Sequence, residues 1–373
     1  MLSFWESESF VQYDLIVIGG GIVGLSTALS FKEARPTASV AVLERGIFPS
    51  GASTKNAGFA CFGSLTEILS DLEQLTEEEV LALVKKRWDG LSLLRKRLGD
   101  ETIDFHNYGG YELLRDTELP AMGEMDRVND LLKPLFGKPV YHDHSQELAA
   151  MGFSPEQVKG LVFNPFEGQI HTGRMMKAMQ RLAGTQGIDL MTGSEVKHWE
   201  EQEHGVTVHL ADGHWLKTDQ LAVCTNAFSS KLMQGTDLYP GRGVVLVTQP
   251  IPGLSLKGTF HYDEGYYYFR NYEDRLIFGG GRNLDLDGET TTDFGTPSLI
   301  LDKLKQELRE MIIPGIDFEV DQEWSGIMAF GANKQPLLYQ HSEHVYVGVR
   351  LGGMGVAIGS ILGQDLSQLM MQS

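Results

Sequence analysis

Cysteine is scarce in this chain of 373 residues. Cys61 and Cys224 are the only two, and neither lies in a C-x-x-C or metal-like spacing. A disulfide framework is therefore excluded, no metal site is expected, and a reducing, cytoplasmic setting is. Basic residues are outnumbered, 31 Lys and Arg against 50 Asp and Glu, for a formal net charge of −19. Such a field repels phosphate backbones, so nucleic acid is not expected among the partners. It weakly favours cationic substrates such as amines. Long hydrophobic runs are missing too. The most apolar stretch, residues 15–31, carries four glycines in nucleotide-loop spacing. No integral membrane segment is expected. The opening MLSFWESESF has neither a basic region nor a cleavage site of small residues, which argues against a secretory signal. Residues 2–10 are left open only for a peripheral contact. Internal repeats, low-complexity blocks and long linkers are also absent.

What remains is an ordinary globular composition, 42% hydrophobic and 22% charged, long enough for two domains. The order of apolar segments is informative. Residues 13–18 read as a buried parallel strand, 22–34 as a helix and 40–44 as a second strand. Residues 66–98 read as one helix, 111–114 as a strand, and 175–182 as an amphipathic helix. Residues 206–210 and 215–217 flank Asp212-Gly213, a two-residue type I′ hairpin signal. Residues 221–223 are another buried strand. Strands are expected at 243–249, 266–270 and 276–278, a helix at 299–311, and a strand at 344–347. A glycine-rich turn and a final helix follow. Nucleotide-binding α/β pieces thus occur near the start, middle and end, with aromatic β-rich pieces between them. The expected class is α/β: a discontinuous Rossmann-like domain (1–98, 155–240 and 325–373) with an inserted β-rich substrate domain (99–154 and 241–324).

The segment VIGGGIVG sets G-x-G-x-x-G at Gly19, Gly21 and Gly24. The first glycine allows the strand-to-helix turn, the second admits a pyrophosphate, and the third lets the helix pack on the sheet. The helix opens with Ile22 and Val23 and presents its N-terminal N–H groups to the phosphates. A second strand ends in Glu44, twenty residues after Gly24. That position suits an acceptor for the adenosine ribose. Glu44-Arg45 leads into the small-residue loop 50–58 rather than regular βαβ repeats. This favours a long, stretched dinucleotide, FAD rather than NAD.

These residues resemble the D-amino-acid-oxidase-like superfamily of FAD-dependent oxidoreductases, which includes glycine and sarcosine oxidases and amino-acid dehydrogenases. The resemblance rests on five segments in the family's order: VIGGGIVG with Glu44; GASTKNAGF; DGHWLKTDQLAVCTNAFSS; GYYYFRNYEDRLIFGGGR; and VYVGVRLGGMGVAIGS. It implies contacts to FAD from Gly19, Gly21, Ile22, Val23, Gly24, Glu44, Arg45, Ser53, Asn56, Ala57 and Gly58. It adds Val196 at the adenine, Thr225 and Asn226 at the mid-chain turn, and Gly353, Met354, Gly355 and Val356 beside the ring. The implied chemistry is hydride transfer from a carbon bearing an amine to flavin N5, then imine hydrolysis. The partners would be a small amine or amino acid and oxygen or another electron acceptor.

Three departures qualify that resemblance. The arginine that clamps a substrate carboxylate in amino-acid-oxidising relatives falls at Met328. The lysine of sarcosine-type oxidases falls at Ile277. The covalent flavin cysteine of some relatives falls near Gly326, so the FAD is expected to be noncovalent. Substrate contacts are expected from Tyr267 and Arg270, beside Met328. Arg242 and Arg350 are further anion anchors to consider, while His106, His171 and His261 read as structural. Two other readings stay open: a 2-hydroxy-acid or glycerol-phosphate type dehydrogenase, and a flavin-binding partner subunit without turnover. A tRNA-modifying relative exists in the superfamily, but the acidic charge argues against that role.

Overall fold

The computed structural model describes residues 3–372, so Met1, Leu2 and Ser373 lie outside the described residues. Of the 2–10 segment, a short helix Phe4–Ser9 is seen, with Phe4 and Trp5 exposed. Two large sheets make up the molecule.

The first sheet has the order Leu337–Gln340, Val345–Val349, Trp215–Val223, Gln12–Ile18, Val40–Glu44, Ile188–Thr192. All of these pair in parallel except the hairpin between its first two strands. Its central strands read QYDLIVI and VAVLE, the near-continuous apolar runs of a sheet buried on both faces. The helices Ile22–Ala34 and Gly355–Met371 pack together and close one face, with Leu25, Leu29, Phe31, Leu362 and Leu366 fully shielded. Gly363 makes that approach possible, because a Cβ there would sit 2.6 Å from Ser26 Cβ.

The second sheet has eight strands in the order Val320–Phe330, Tyr239–Thr248, Arg275–Gly280, Tyr267–Tyr272, Thr259–Tyr262, Gly110–Leu114, Gly160–Asn164, His142–Asp143. It is antiparallel apart from the Thr259–Tyr262 and Gly110–Leu114 pair. One face stacks Phe260, Tyr262, Tyr267, Phe269 and Phe278 under the helix Ser298–Glu307. The opposite face looks at the loop 52–59 and the first sheet's edge. Trp324 Nε1 donates to Lys55 O across that contact at 2.9 Å.

Three expectations are corrected. Residues 66–98 form two helices, Leu65–Leu72 and Glu77–Leu98, because Thr76 starts a new one with a complete capping box to Glu79. The hairpin at Asp212-Gly213 has a three-residue loop. Gly213 N donates back to Leu210 O at 3.2 Å, and Gly213 then takes φ +91°. That is a type I turn followed by a left-handed glycine, not a type I′ turn. Finally, residues 215–217 and 221–223 are one strand, Trp215–Val223. Its first half pairs with the hairpin and its second with Val345–Val349.

Candidate functional site

A cavity of about 880 Å³ follows the C-terminal ends of the parallel strands and continues across the second sheet. Pockets for small ligands run to roughly 300–1,000 Å³, so this one is large enough for a dinucleotide. Its wall contains Gly19, Gly21, Ile22, Val23, Glu44, Arg45, Ser53, Asn56, Ala57, Val196, Thr225, Asn226, Gly326, Met328, Gly353, Met354, Gly355 and Val356. Those expected positions, scattered over more than 300 residues, are therefore brought to one surface.

The glycines there do different work. Gly19 has φ +107°, and a Cβ on it would stand 2.8 Å from Cys224 O. Gly21 is the N-cap of the Ile22–Ala34 helix and offers no side chain there. A Cβ on it would meet Ser53 Oγ at 2.8 Å. Ser53 Oγ in turn accepts from Ile22 N at 3.0 Å, so that hydroxyl sits at the helix N-terminus. Glu44 is 9% exposed and held by three donors. Gly20 N reaches Oε2 at 3.1 Å, while Gly46 N and Ser50 Oγ reach Oε1 at 3.0 and 3.2 Å. The carboxylate is thus fixed in orientation beside the loop. At the other end, Gly352 and Gly353 (φ +53° and +83°) turn the chain into the helix Gly355–Met371, whose N-terminus lies on the cavity wall. The glycine cradle, two helix N-termini and an oriented carboxylate fit the ADP half and the ring of FAD.

Gly24 and Gly58 are not on the wall. A Cβ on Gly24 would be 1.9 Å from Gly19 O, and one on Gly58 (φ +78°) would be 2.4 Å from Ile170 O. Both are packing glycines that let the wall form. Gly24→Ala is therefore expected to abolish flavin uptake. The check is the flavin absorbance per protein of the purified variant; full yellow occupancy would contradict this reading.

Some wall side chains already have partners within the protein. Asn56 Oδ1 accepts from Gly58 N and Thr172 Oγ1, and its Nδ2 donates to Ala52 O and Ser53 O. Asn226, at φ +48°, accepts from Arg350 N.

The second sheet supplies the remaining wall. Alternation places Tyr268, not Tyr267, on the cavity face. Tyr267 points the other way, stacked on Tyr262 at 4.8 Å in the aromatic core. Tyr268 is flanked by Gly279, where a Cβ would clash with its ring at 2.7 Å. Burial pushes its phenol up to about 12, so it is a neutral hydroxyl. Arg270 is also displaced from the substrate role. It is 4% exposed and donates to Ala57 O, Ile170 O at 3.1 Å and Asn271 O at 3.1 Å, fastening the 52–59 loop. Ile277, the register partner of Arg270, is likewise off the wall. Arg242 is held by Glu289 through two bonds, at 2.8 and 2.7 Å. Arg350 is held by Asp237, Gln335 and Asn333.

Arg282 differs from these arginines. It lines the cavity with its guanidinium 4.1 Å from the Phe330 ring centroid and 5.9 Å from that of Tyr266. No ion pair or side-chain hydrogen bond holds it among the described residues. Arg282 closes the segment GYYYFRNYEDRLIFGGGR, but nothing in the sequence separates it from the other arginines there; its position past the end of a sheet strand does.

A buried polar cluster begins on the wall and continues beneath it. Glu67, on the Leu65–Leu72 helix, lies 3.2 Å from Arg87 Nη1 and 3.5 Å from Lys334 Nζ. Burial pushes Glu67 up, but Arg87 and Lys334 outweigh it and hold it below the usual carboxylate range. Burial pushes Glu112 up to about 7 and Glu167 up to about 8. His261, on the cavity wall, is pushed down to about 4 by burial. Of these, only His261 was considered from the sequence, and there as structural. A separate group, His198, Glu200 and His209, lies close together on the outer hairpin and does not touch the cavity.

Comparison with known proteins agrees with this geometry. A family model described as FAD dependent oxidoreductase (DAO) matches residues 14–369. The glycine oxidase of Geobacillus kaustophilus is 24% identical over 348 residues, 89% of this chain and 85% of that protein. The L-2-hydroxyglutarate dehydrogenase of Escherichia coli is 24% identical over 235 residues, 62% of this chain. The chain matches only about half of that dehydrogenase, 51%. Among solved structures, glycine oxidase from Geobacillus kaustophilus superposes with a TM-score of 0.78 at 20% identity, covering 97% of this chain and 95% of that one. L-proline dehydrogenase from P. horikoshii gives a TM-score of 0.78 at 19% identity, covering 97% and 94%. Among the described residues, no helix is long and apolar enough to cross a membrane. The chain belongs to the DAO family of FAD-dependent oxidoreductases.

Proposed function

We propose that this flavoenzyme oxidises a small amine that also carries a carboxylate, an amino acid or N-substituted amino acid, at its carbon–nitrogen bond. The observation that carries this reading is the unpaired guanidinium of Arg282 on the wall of the cavity that begins at the phosphate loop. With Met328 in the slot of the family's clamp, Arg282 takes over the anion. A planar fork fits a carboxylate bidentately, and the stacked rings hold it in place.

In this proposal the parallel sheet with its loops is the cofactor half and the antiparallel sheet the substrate half. Gly19, Gly21 and the first helix N-terminus hold the pyrophosphate, and Glu44 the ribose. Gly353–Val356 and the last helix N-terminus flank the ring, where a positive dipole end stabilises negative charge. The FAD is held noncovalently. Bound FAD supplies the hydride acceptor. The protein orients the C–H bond, and Tyr268 offers a neutral hydroxyl and an aromatic face to the substrate. The imine product is released to water and hydrolysed.

The similarity to a hydroxy-acid dehydrogenase keeps a 2-hydroxy acid as the second reading, because Arg282 would anchor its carboxylate equally well. Anaerobic flavin bleaching decides between them. Amino acids, N-methyl amino acids, simple amines and 2-hydroxy acids are added without oxygen to the purified yellow protein. Bleaching by a carboxylate-bearing amine is expected, and re-admitted air then separates oxidase from dehydrogenase. Bleaching by 2-hydroxy acids alone would replace the proposal with the second reading. No bleaching by any class would favour a partner subunit without turnover.

A further inference from the structure

A buried histidine and two buried carboxyls stand at the back of the same cavity. His261 lies on the Thr259–Tyr262 strand, and its side chain is 10% exposed. The Phe59 ring meets its imidazole edge to face at 5.1 Å. Its Nε2 is shut off from solvent, has no hydrogen-bond partner, and lies 3.8 Å from Glu167 Oε2. Glu167 is 2% exposed. Its Oε1 accepts from Phe62 N at 3.0 Å and Gly63 N at 3.4 Å, which leaves Oε2 facing His261 as an acceptor for a proton from that side. Gly110 permits this position, since a Cβ there would sit 2.1 Å from Glu167 Oε2.

Between these groups is a second, small cavity of about 10 Å³, lined by His261, Glu167, Glu112, Asn164, Tyr141 and Ser64 among others. That is about the least room one water needs, and a water there requires polar partners on the lining. Asn164 Nδ2, buried and without a partner, is one donor; His261 Nε2 is another contact. Glu112, 3% exposed and bonded by Thr66 N and Oγ1, closes the far side.

We infer that His261 is the proton acceptor of the reaction and that the Glu167–Glu112 carboxyl pair behind it is a proton store reached through one bridging water. The inference rests on the amine-oxidation reading for its substrate. The substrate nitrogen gives one proton to His261 Nδ1, the ring nitrogen left for the cavity side. Nε2 passes its own proton through the water to the carboxyl pair. The carbon–hydrogen bond breaks, a C=N bond forms, and its hydrogen and two electrons go to the FAD oxidant. His261 is neutral at working pH because burial pushes it down to about 4, so it starts with an open lone pair. Glu112 and Glu167, pushed up by burial to about 7 and 8, sit where a carboxyl pair can take or release a proton. The charged and titratable groups facing the relay are Glu67, Asp71, Glu118, Arg87, Lys334, Cys61 and Tyr141. Arg87 and Lys334 balance Glu67 and Asp71, and the buried Tyr141 phenol stays neutral.

Two measurements on the FAD-loaded protein test this. The first needs no substrate. Light-driven reduction of the flavin is followed by infrared difference spectroscopy at neutral pH. A carboxylic-acid C=O band that shifts on reduction is expected, and Glu167→Gln should remove it. No such band, or one that survives in Glu167→Gln, overturns the relay whatever the substrate is. The second uses the compound that bleaches wild type. His261→Asn should slow anaerobic reduction by on the order of a hundredfold at neutral pH, with the deficit closing as pH rises and free amine replaces ammonium. Glu167→Gln should displace the pH profile with little change at its plateau. A His261→Asn or His261→Gln protein with normal flavin content and a wild-type pH profile would refute the relay. Failure of every compound to bleach wild type would instead count against the amine reading, with the infrared result standing on its own.

Discussion

At pH 8 the Glu167→Gln protein is expected to be more stable than the wild type by on the order of 4 kcal/mol. Glu167 is 2% exposed, and burial raises its carboxyl from 4.5 to about 8. Phe62 N and Gly63 N oppose that rise, while the charges of Glu67 and Glu112 add to it. The folded chain therefore holds a proton that the unfolded chain has released. Its stability is fully present below pH 4.5 and is lost progressively as pH rises to about 8. Glutamine reproduces the neutral acid in shape, keeps an oxygen for the two backbone N–H groups, and has no charge to expose. The two proteins should coincide below pH 4.5 and diverge above it, by roughly 5 °C in unfolding midpoint at pH 8 for a chain of this size. Thermal unfolding at matched flavin content across that range is the measurement. A gap independent of pH would mean that Glu167 is ionised in the folded protein.

That cluster also shows where the sequence stopped being informative. The phosphate loop was legible because three glycines and Glu44 stand at fixed offsets on a strand-turn-helix, and local geometry alone requires them. The strands at 13–18 and 40–44 and the helix at 22–34 were readable for the same reason: their apolar runs are continuous and their ends carry glycine or acid. Tyr267 and Tyr268 are a different case. Alternation says that neighbours face opposite sides, but not which side is the cavity. Only the register Tyr268↔Gly279, with a glycine leaving room for the ring, settles the parity. Arg270 holds carbonyls rather than an anion, and the two kinds of buried arginine look identical in sequence. Glu112 and Glu167 are 55 residues apart and meet only when Gly110–Leu114 pairs with Gly160–Asn164. Nothing local marks either as buried. Long-range pairing made the substrate face and the buried carboxyl cluster, and those are the parts that no local pattern or family resemblance reveals.

Arg282→Met should lower kcat/KM for a carboxylate-bearing substrate by roughly 100- to 1,000-fold, or about 3–4 kcal/mol, while flavin content stays normal. The size follows from where the guanidinium sits. It is stacked at 4.1 Å on Phe330, beside Tyr266, with no protein carboxylate to compete for it. In a chain with 50 acidic residues, an arginine left unpaired in the cavity wall is available to a ligand anion. The other arginines nearby cannot take the role without giving up structure: Arg270 fastens the 52–59 loop, Arg242 holds Glu289 and Arg350 holds Asp237. Methionine keeps the unbranched stem against Phe330 and removes only the fork. The loss should fall mainly on KM if the carboxylate is bound equally in ground and transition states, and on kcat too if the anchor sets the C–H bond in line. Arg282→Lys should recover part of the affinity through its point charge but not the bidentate geometry. The discriminating comparison is the amide of the same substrate. Wild type and Arg282→Met should oxidise it at similar rates, because it carries no anion for Arg282 to hold. Equal loss on acid and amide would place Arg282 outside substrate recognition, and the carboxylate would then have to be held by another cation on the same wall, such as Lys55.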